Sequence, residues 1–100
     1  RSTLFPYTTL FRSNQRLRKL VAMLRGGAPV KEVARSSARI QDIEGTGDDL
    51  LYSATEELFS GKYEALEVLK LRAIYKGIEN ALDICSAISD LIVTISLKHS

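Results

Sequence analysis

The sequence predicts an all-α protein, an elongated antiparallel bundle of one short and two long helices. Apolar residues recur at alternating steps of three and four along two long segments, and glycines or a proline separate those segments. No stretch alternates strictly between apolar and polar residues, as a half-buried strand would. Because two long helices and one short helix cover each other's apolar faces poorly, we expect the bundle to be incomplete.

Residues 1–13 show neither helical nor alternating periodicity. Over all thirteen positions they resemble the in-frame translation of a common sequencing adapter. We therefore interpret them as a non-native segment, exclude them from the fold prediction and expect them to be dispensable for folding. On this interpretation residues 14–100 are the C-terminal part of a longer parent. The alternative is a natural extended tail.

The charge distribution argues against a nucleic-acid partner. The formal net charge is +2, and Arg1 and Arg12 in the excluded segment supply both excess charges. Seven basic residues lie between positions 14 and 39, where Glu32 is the only acidic one. This basic cluster could contact phosphates or a membrane surface, or it could be a solvated helix face.

Cysteine usage and hydropathy predict a cytoplasmic protein. Cys85 is the only cysteine, which excludes an internal disulfide and fits a reducing compartment. It falls on an apolar helix face, where a small core residue is the expected role. No uninterrupted apolar run reaches the roughly 18 residues of a membrane span, and no signal peptide is visible. The protein is expected to be peripheral to a membrane at most.

The helices are predicted in chain order from their boundary signals. Residues 14–25 form a short amphipathic helix, or the end of a longer one, that Gly26 and Gly27 stop. Pro29 suits the first turn of a second helix, which runs to about residue 59 or 60 before Gly61 stops it. A third helix then continues almost to the C-terminus. The predicted core stripes are Val33, Ser37, Ile40, Glu44, Gly47, Leu51, Ala54 and Leu58, and then Leu71, Ile74, Ile78, Ala81, Cys85, Ile88, Ile92 and Ile95.

Two acidic pairs are the candidate functional residues. Glu44 and Asp48 are spaced i, i+4 on the second helix, and Glu79 and Asp83 repeat that spacing on the third, with Asp90 two turns beyond. Like charges at this spacing destabilise a helix unless a cation binds between them. The two pairs lie at nearly equal distances from Gly61, so a helical hairpin brings them to the same height.

This arrangement predicts a metal site. Carboxylates on two facing helices supply oxygen ligands suited to Fe(III), Mn or Mg, and with less preference to Zn. A solvated acidic face is the alternative. The sequence lacks the histidines of a ferritin-like di-iron oxidase, since His99 is its only one, and it has no phosphate loop or Ser/His/Asp set. An enzyme is therefore not expected.

The third and second helices also carry a family resemblance. The matching segments are Ile43-Glu44, Asp48-Asp49-Leu50-Leu51-Tyr52, Glu57-Leu58-Phe59, Glu67-Val68-Leu69-Lys70 and Ile74-Tyr75, followed by Glu79, Ala81, Leu82, Asp83, Cys85, Asp90, Ile92 and Leu97-Lys98. Together they resemble the C-terminal part of PhoU-like proteins of the DUF47 family, which regulate phosphate transport and accompany Pit-type transporters. The resemblance covers about residues 37–99.

The resemblance implies a PhoU-like helical fold that binds metal through E(D)-x-x-x-D motifs. Carried onto this sequence, the ligands are Glu44, Asp48, Glu79 and Asp83, with Asp90 as a further candidate. It also implies a regulatory role beside a phosphate transporter or a phosphate-signalling protein at the membrane. The chain departs from the family pattern at Gly45, Gly47 and Ala65. A metal-free helical interaction or oligomerisation module is the alternative function, and self-association is expected in either case.

Overall fold

The computed structural model describes residues 4–99 and shows three helices, α1 (Leu4–Arg25), α2 (Val30–Leu58) and α3 (Ala65–Lys98). They run up, down and up as a bundle with extents of 54 × 20 × 16 Å. Within the described residues there is no strand. The predicted all-α, elongated antiparallel bundle is therefore confirmed.

Helix α1 is longer than predicted, because it begins at Leu4 and runs for 22 residues. It therefore includes residues 4–13, which the sequence analysis left out of the fold prediction. Pro6 stands in the first turn, where its missing N–H has no helical acceptor to lose, and Pro6, Thr9 and Ser13 are buried at helical spacing. Small and polar residues carry this stripe, so hydrophobic periodicity does not reveal it. Residues 1–3 lie outside the described part, and the dispensability of residues 1–13 stays a prediction.

The helix ends follow the predicted glycine signals. Gly27 after α1 and Gly61 after α2 have φ angles of 72° and 97°, in the region that only glycine adopts without strain. Residues 59–64 form the exposed connection to α3. Its length sets the register in which α3 returns along α2.

The buried stripe of α2 agrees with the predicted one at six of eight positions, since the predicted members Glu44 and Ala54 are half-buried and Ile43 was not predicted. Val33, Ile40, Leu51 and Leu58 are buried, together with Ser37, Ile43 and Gly47. Gly47 permits a close approach of all three helices, because a Cβ atom there would lie 2.7 Å from Leu82 Cδ1 and 3.1 Å from Thr9 Cγ2. This packing is the physical reason for a glycine inside a long helix.

The buried stripe of α3 differs in part from the predicted one. Its members are Ile78, Leu82, Cys85, Ser89, Ile92 and Ser96. Ile74 and Ile88 were predicted to be buried, but their side chains are 39% and 38% exposed. The spacing is the predicted one; the error arises because α3 carries branched apolar residues on two of its sides. Serines take core positions where α3 approaches the other helices closely.

One side of α3, which we call the apolar flank, remains open. It consists of Leu66, Ile84, Ile88 and Leu91, all exposed. By length and composition α3 is long and apolar enough to cross a membrane, although the sequence shows no uninterrupted apolar run of that length. A core helix of a soluble protein passes the same test. Because only 28% of its apolar window is buried, the bundle leaves most of that surface uncovered.

Candidate metal-binding site

Three of the predicted ligands meet between α2 and α3. Glu44 and Asp48 project from successive turns of α2, and Asp83 projects from α3 opposite them. One carboxylate oxygen from each of the three residues lies within 4.8 Å of the other two. Glu44 and Asp48 are half-buried and Asp83 is exposed. We call this group the carboxylate cluster.

Among the described residues, no Lys or Arg side chain forms an ion pair with the cluster. Within residues 4–99 the ion pairs are Lys62 with Glu57, at 3.9 Å, and Lys76 with Glu79, at 3.3 Å. The Oδ1 atom of Asp48 is shielded from solvent and accepts no hydrogen bond. A shielded carboxylate oxygen without a donor is costly, and a proton or a bound cation removes that cost.

Within the cluster, Glu44 has a perturbed pKa, which is raised from 4.5 to about 7. The largest cause is a hydrogen bond that protonated Glu44 makes with Asp48. Partial burial raises the pKa further, and Asp83 adds a second hydrogen bond and charge repulsion. The free cluster therefore retains a proton in a pH range where an isolated glutamate is ionised.

Glu79, the fourth predicted ligand, lies beside the cluster but is not part of it. Its Oε1 accepts a hydrogen bond from Lys76 Nζ at 3.3 Å on the surface. Glu79 and Asp48 line the same cleft of about 480 Å³ between α2 and α3. The predicted equal height of the two motifs is thus observed, while the Glu79 carboxylate turns toward Lys76.

Asp90, the fifth predicted ligand, takes part in a different contact. Its Oδ1 accepts a hydrogen bond from Gln41 Nε2 at 3.0 Å. Asp90 is seven residues beyond Asp83, about 10 Å along the helix axis. The structure therefore does not bring Asp90 into the carboxylate cluster.

A hydrogen-bonded polar layer lies one turn from the cluster, and the sequence analysis missed it. Gln41 Nε2 is 2.9 Å from Ser89 Oγ and 3.2 Å from the Ser86 carbonyl, and Ser86 Oγ donates to Gln41 Oε1. The buried hydroxyls of Ser37 and Ser89 are 3.0 Å apart. We call these residues the serine–glutamine layer. Two serines could have revealed this layer: Ser37 lies in the predicted stripe of the second helix, and Ser89 lies next to Ile88 in the predicted stripe of the third.

The donor set fits a hard metal cation. Three carboxylates offer only oxygen ligands, which suit Mg, Mn or Fe(III) better than softer metals. The shielded Asp48 Oδ1 is an acceptor that such an ion would satisfy. Three protein ligands leave coordination positions for water or another oxygen donor. The cluster can therefore hold an ion without enclosing it.

The amino-acid sequence of the chain was compared with those of known proteins. The chain is similar to a UPF0111 protein. Over 71 residues it is 24% identical to the UPF0111 protein YkaA of Bacillus subtilis (strain 168), and the aligned stretch covers 71% of this chain and 35% of that relative. The chain thus spans about one third of the relative's length. No protein-family model matches the chain, and no solved structure matches it.

Proposed function

We propose that this chain is part of a regulatory or accessory protein of inorganic phosphate transport, a partner of a Pit-type transporter, which binds a metal ion. The carboxylate cluster of Glu44, Asp48 and Asp83 is the observation that carries the metal-binding part of the proposal. The distant similarity to a UPF0111 protein, which is of the DUF47 type, supports the phosphate-related part. The protein acts by binding and not by catalysis, at the cytoplasmic face of the membrane.

The metal has a defined role in this proposal. A cation held by Glu44, Asp48 and Asp83 joins the middle of α2 to the middle of α3 and cancels the repulsion that raises the pKa of Glu44. Because the ligands come from two helices, binding stabilises the folded chain and not the unfolded one. An ion at a hundredfold excess over its Kd then adds about 2.7 kcal/mol to the free energy of unfolding.

Metal binding is tested by calorimetric titration of chelator-treated protein with Mn²⁺ and Mg²⁺, together with thermal unfolding. The wild-type chain should bind an ion and unfold at a higher temperature when loaded. Glu44→Gln and Asp83→Asn should each weaken binding at least tenfold. Asp90→Asn is the matched control, because it removes an α3 carboxylate that lies outside the cluster. Equal affinity in Asp83→Asn and Asp90→Asn would contradict the proposed site.

The physiological role is tested in cells that carry the full-length parent gene. Deleting that gene should change phosphate uptake at low or at high external phosphate, and the wild-type gene should restore it. A parent with substitutions at Glu44 and Asp83 should fail to restore normal uptake. Unchanged uptake at both phosphate concentrations would favour an interaction module without a transport role.

The apolar flank of α3 favours that second candidate function, a metal-free helical interaction or oligomerisation module. Leu66 is 63% exposed, Ile84 59% and Leu91 57%, which is unusual for one side of a helix in a monomeric bundle. Self-association of the chain would bury this surface. In sedimentation equilibrium, Leu91→Lys should shift the chain toward monomer, whereas Leu50→Lys, at an exposed apolar position of α2, should not. A wild-type chain that is monomeric at high concentration would refute this candidate.

A further inference from the structure

The cleft beside the carboxylate cluster is lined by both acidic and basic side chains. It has a volume of about 480 Å³ between α2 and α3. Asp48 lines it and also belongs to the cluster. Arg72 and Lys76 line it as well, from successive turns of α3. The cleft therefore contains a residue of the candidate cation site together with two positively charged side chains.

From this arrangement we infer that the cleft binds a phosphate-class oxyanion between Arg72 and Lys76, and binds it tightly only when a cation occupies the carboxylate cluster. The inference rests on the proposed metal binding and names a second ligand for the same site. A guanidinium group and an ammonium group one turn apart are donors suited to tetrahedral oxyanions. Asp48 belongs to both the cluster and the cleft, so a cation held by the cluster would lie beside the cleft and could take an oxyanion oxygen as a further ligand.

Charge explains why the two ligands depend on each other. Asp48, Asp49 and Glu79 also line the cleft, so its three carboxylates outweigh its two cationic groups. An oxyanion entering the cation-free cleft meets net negative charge. A divalent or trivalent cation at the cluster neutralises part of that negative charge, so the repulsion that an entering oxyanion meets is weaker. Since coupling between two binding sites is reciprocal, an oxyanion must tighten cation binding by the same factor.

Lys76, one of the two proposed oxyanion-binding residues, is paired with the acidic side chain of Glu79. Its Nζ donates to Glu79 at 3.3 Å, and the Lys76 side chain is 70% exposed and the Glu79 side chain 42% exposed. Exposed ion pairs of this kind contribute little free energy, so Lys76 can exchange Glu79 for a phosphate oxygen. Tyr75 also lines the cleft, and partial burial raises the pKa of its hydroxyl, so this group stays protonated and able to donate.

The test is a calorimetric titration of the full chain with Mg²⁺, in the presence and absence of inorganic phosphate at a fixed concentration. Phosphate should tighten Mg²⁺ binding by about fivefold or more in the wild type, the lower end of usual coupling. Arg72→Gln with Lys76→Gln should abolish the enhancement while Mg²⁺ alone still binds. Lys70→Gln, an exposed lysine of α3 outside the cleft, is the matched control and should keep the enhancement.

Two results overturn the inference. In the first, Mg²⁺ binds the wild type and phosphate leaves its affinity unchanged. In the second, the enhancement survives in the double variant. Repeating the titration with pyrophosphate identifies the kind of oxyanion: a larger enhancement than with phosphate assigns an extended phosphate chain, and a smaller one assigns the single phosphate group.

A separate arm distinguishes failure of this inference from failure of the proposed metal binding. The variant Glu44→Gln/Asp48→Asn/Asp83→Asn lacks the cluster's negative charge, so it should bind phosphate without any cation, and adding Arg72→Gln should remove that binding. If the wild type binds no cation but this triple variant binds phosphate through Arg72, the oxyanion site stands and the metal proposal fails. If the triple variant binds no phosphate and phosphate does not enhance Mg²⁺ binding in the wild type, the oxyanion site is refuted.

Discussion

Two polar layers lie one turn apart between α2 and α3, and they are built differently. In the serine–glutamine layer, hydroxyl and amide groups of Ser37, Gln41, Ser86 and Ser89 supply both donors and acceptors, and they satisfy each other. In the carboxylate cluster all three groups are acceptors when ionised. A polar layer that is complete within the chain serves the fold. One that lacks donors needs a proton or a cation from solution.

Breaking the complete layer should have the largest effect on stability. Gln41→Ala removes the amide that contacts Ser86, Ser89 and Asp90, and we expect it to lower the free energy of unfolding by about 1–3 kcal/mol. Urea unfolding measures this loss. Gln15→Ala, at an exposed glutamine of α1, is the control and should stay within about 0.5 kcal/mol. Cation affinity should be unchanged in both variants, and equal stability of the two would show that the layer is not structural.

The incomplete layer should respond to pH. The pKa of Glu44 is about 7 in the folded chain, against 4.5 for an unperturbed glutamate, so folding binds its proton more tightly. That contribution to stability is complete below pH 4.5 and disappears as the pH rises through about 7. Cation-free protein should therefore lose thermal stability between pH 5 and pH 8.

Glu44→Gln is the control for the pH experiment, because its amide does not titrate. The difference in melting temperature between wild type and this variant should change with pH, and a bound cation should remove most of the change by stabilising the ionised form. A pH dependence that is the same in both proteins would show that the cluster does not titrate between pH 5 and pH 8.

Two serine variants test the contrast between a hydrogen-bonded and an unpartnered polar group at single hydroxyls. Their effects on the free energy of unfolding should be smaller. Ser37 Oγ is hydrogen-bonded to Ser89, whereas Ser13 Oγ is shielded from solvent without a partner. Ser37→Ala should lower the free energy of unfolding by about 1 kcal/mol, and Ser13→Ala should raise it by about the same amount. Opposite signs in urea unfolding confirm the distinction. A loss in both variants would mean that Ser13 finds a partner in solution.

The smallest predicted effect concerns the turn of α2 between the two cluster residues Glu44 and Asp48. Gly45 has open space around it, so Gly45→Ala should raise the free energy of unfolding by up to about 1 kcal/mol through helix propensity. Gly47→Ala should not reach this gain, because its Cβ would crowd Leu82. Thermal unfolding of the two variants makes the comparison. Equal gains would show that the close packing at Gly47 relaxes without cost.

The sequence alone predicts the fold class, the ends of α2 and the buried stripe of α2, because large apolar residues and glycine signals mark them. It also predicts that Glu44, Asp48 and Asp83 come together, since helix spacing and the position of Gly61 determine their heights. These features depend on periodicity and chain length, which are local properties. Long-range side-chain contacts are not required to infer them.

Other features depend on contacts that periodicity cannot predict. Glu79 turns to Lys76 and Asp90 to Gln41, so neither joins the cluster although both have suitable positions on α3. The first half of α1 was missed because its buried stripe consists of proline, threonine and serine. On α3, Ser89 is buried and Ile88 is exposed, because a hydroxyl pair with Ser37 fits the close helix contact. Such preferences follow from neighbours on other helices.

Helix α3 carries a buried stripe, an acidic side and the apolar flank on different sides. The position of a substitution on α3 therefore determines whether its effect is coupled to that of a second substitution. Substitutions on surfaces more than about 7–10 Å apart combine additively, so changes at Leu91 and at Asp83 should be independent of each other. Leu82 is the exception. It contacts the position of Gly47, which is adjacent to Asp48, and it precedes Asp83 in the chain. We therefore expect changes on the apolar flank to affect the proposed self-association and not the proposed cation site, and changes in core packing at Leu82 to affect that cation site as well.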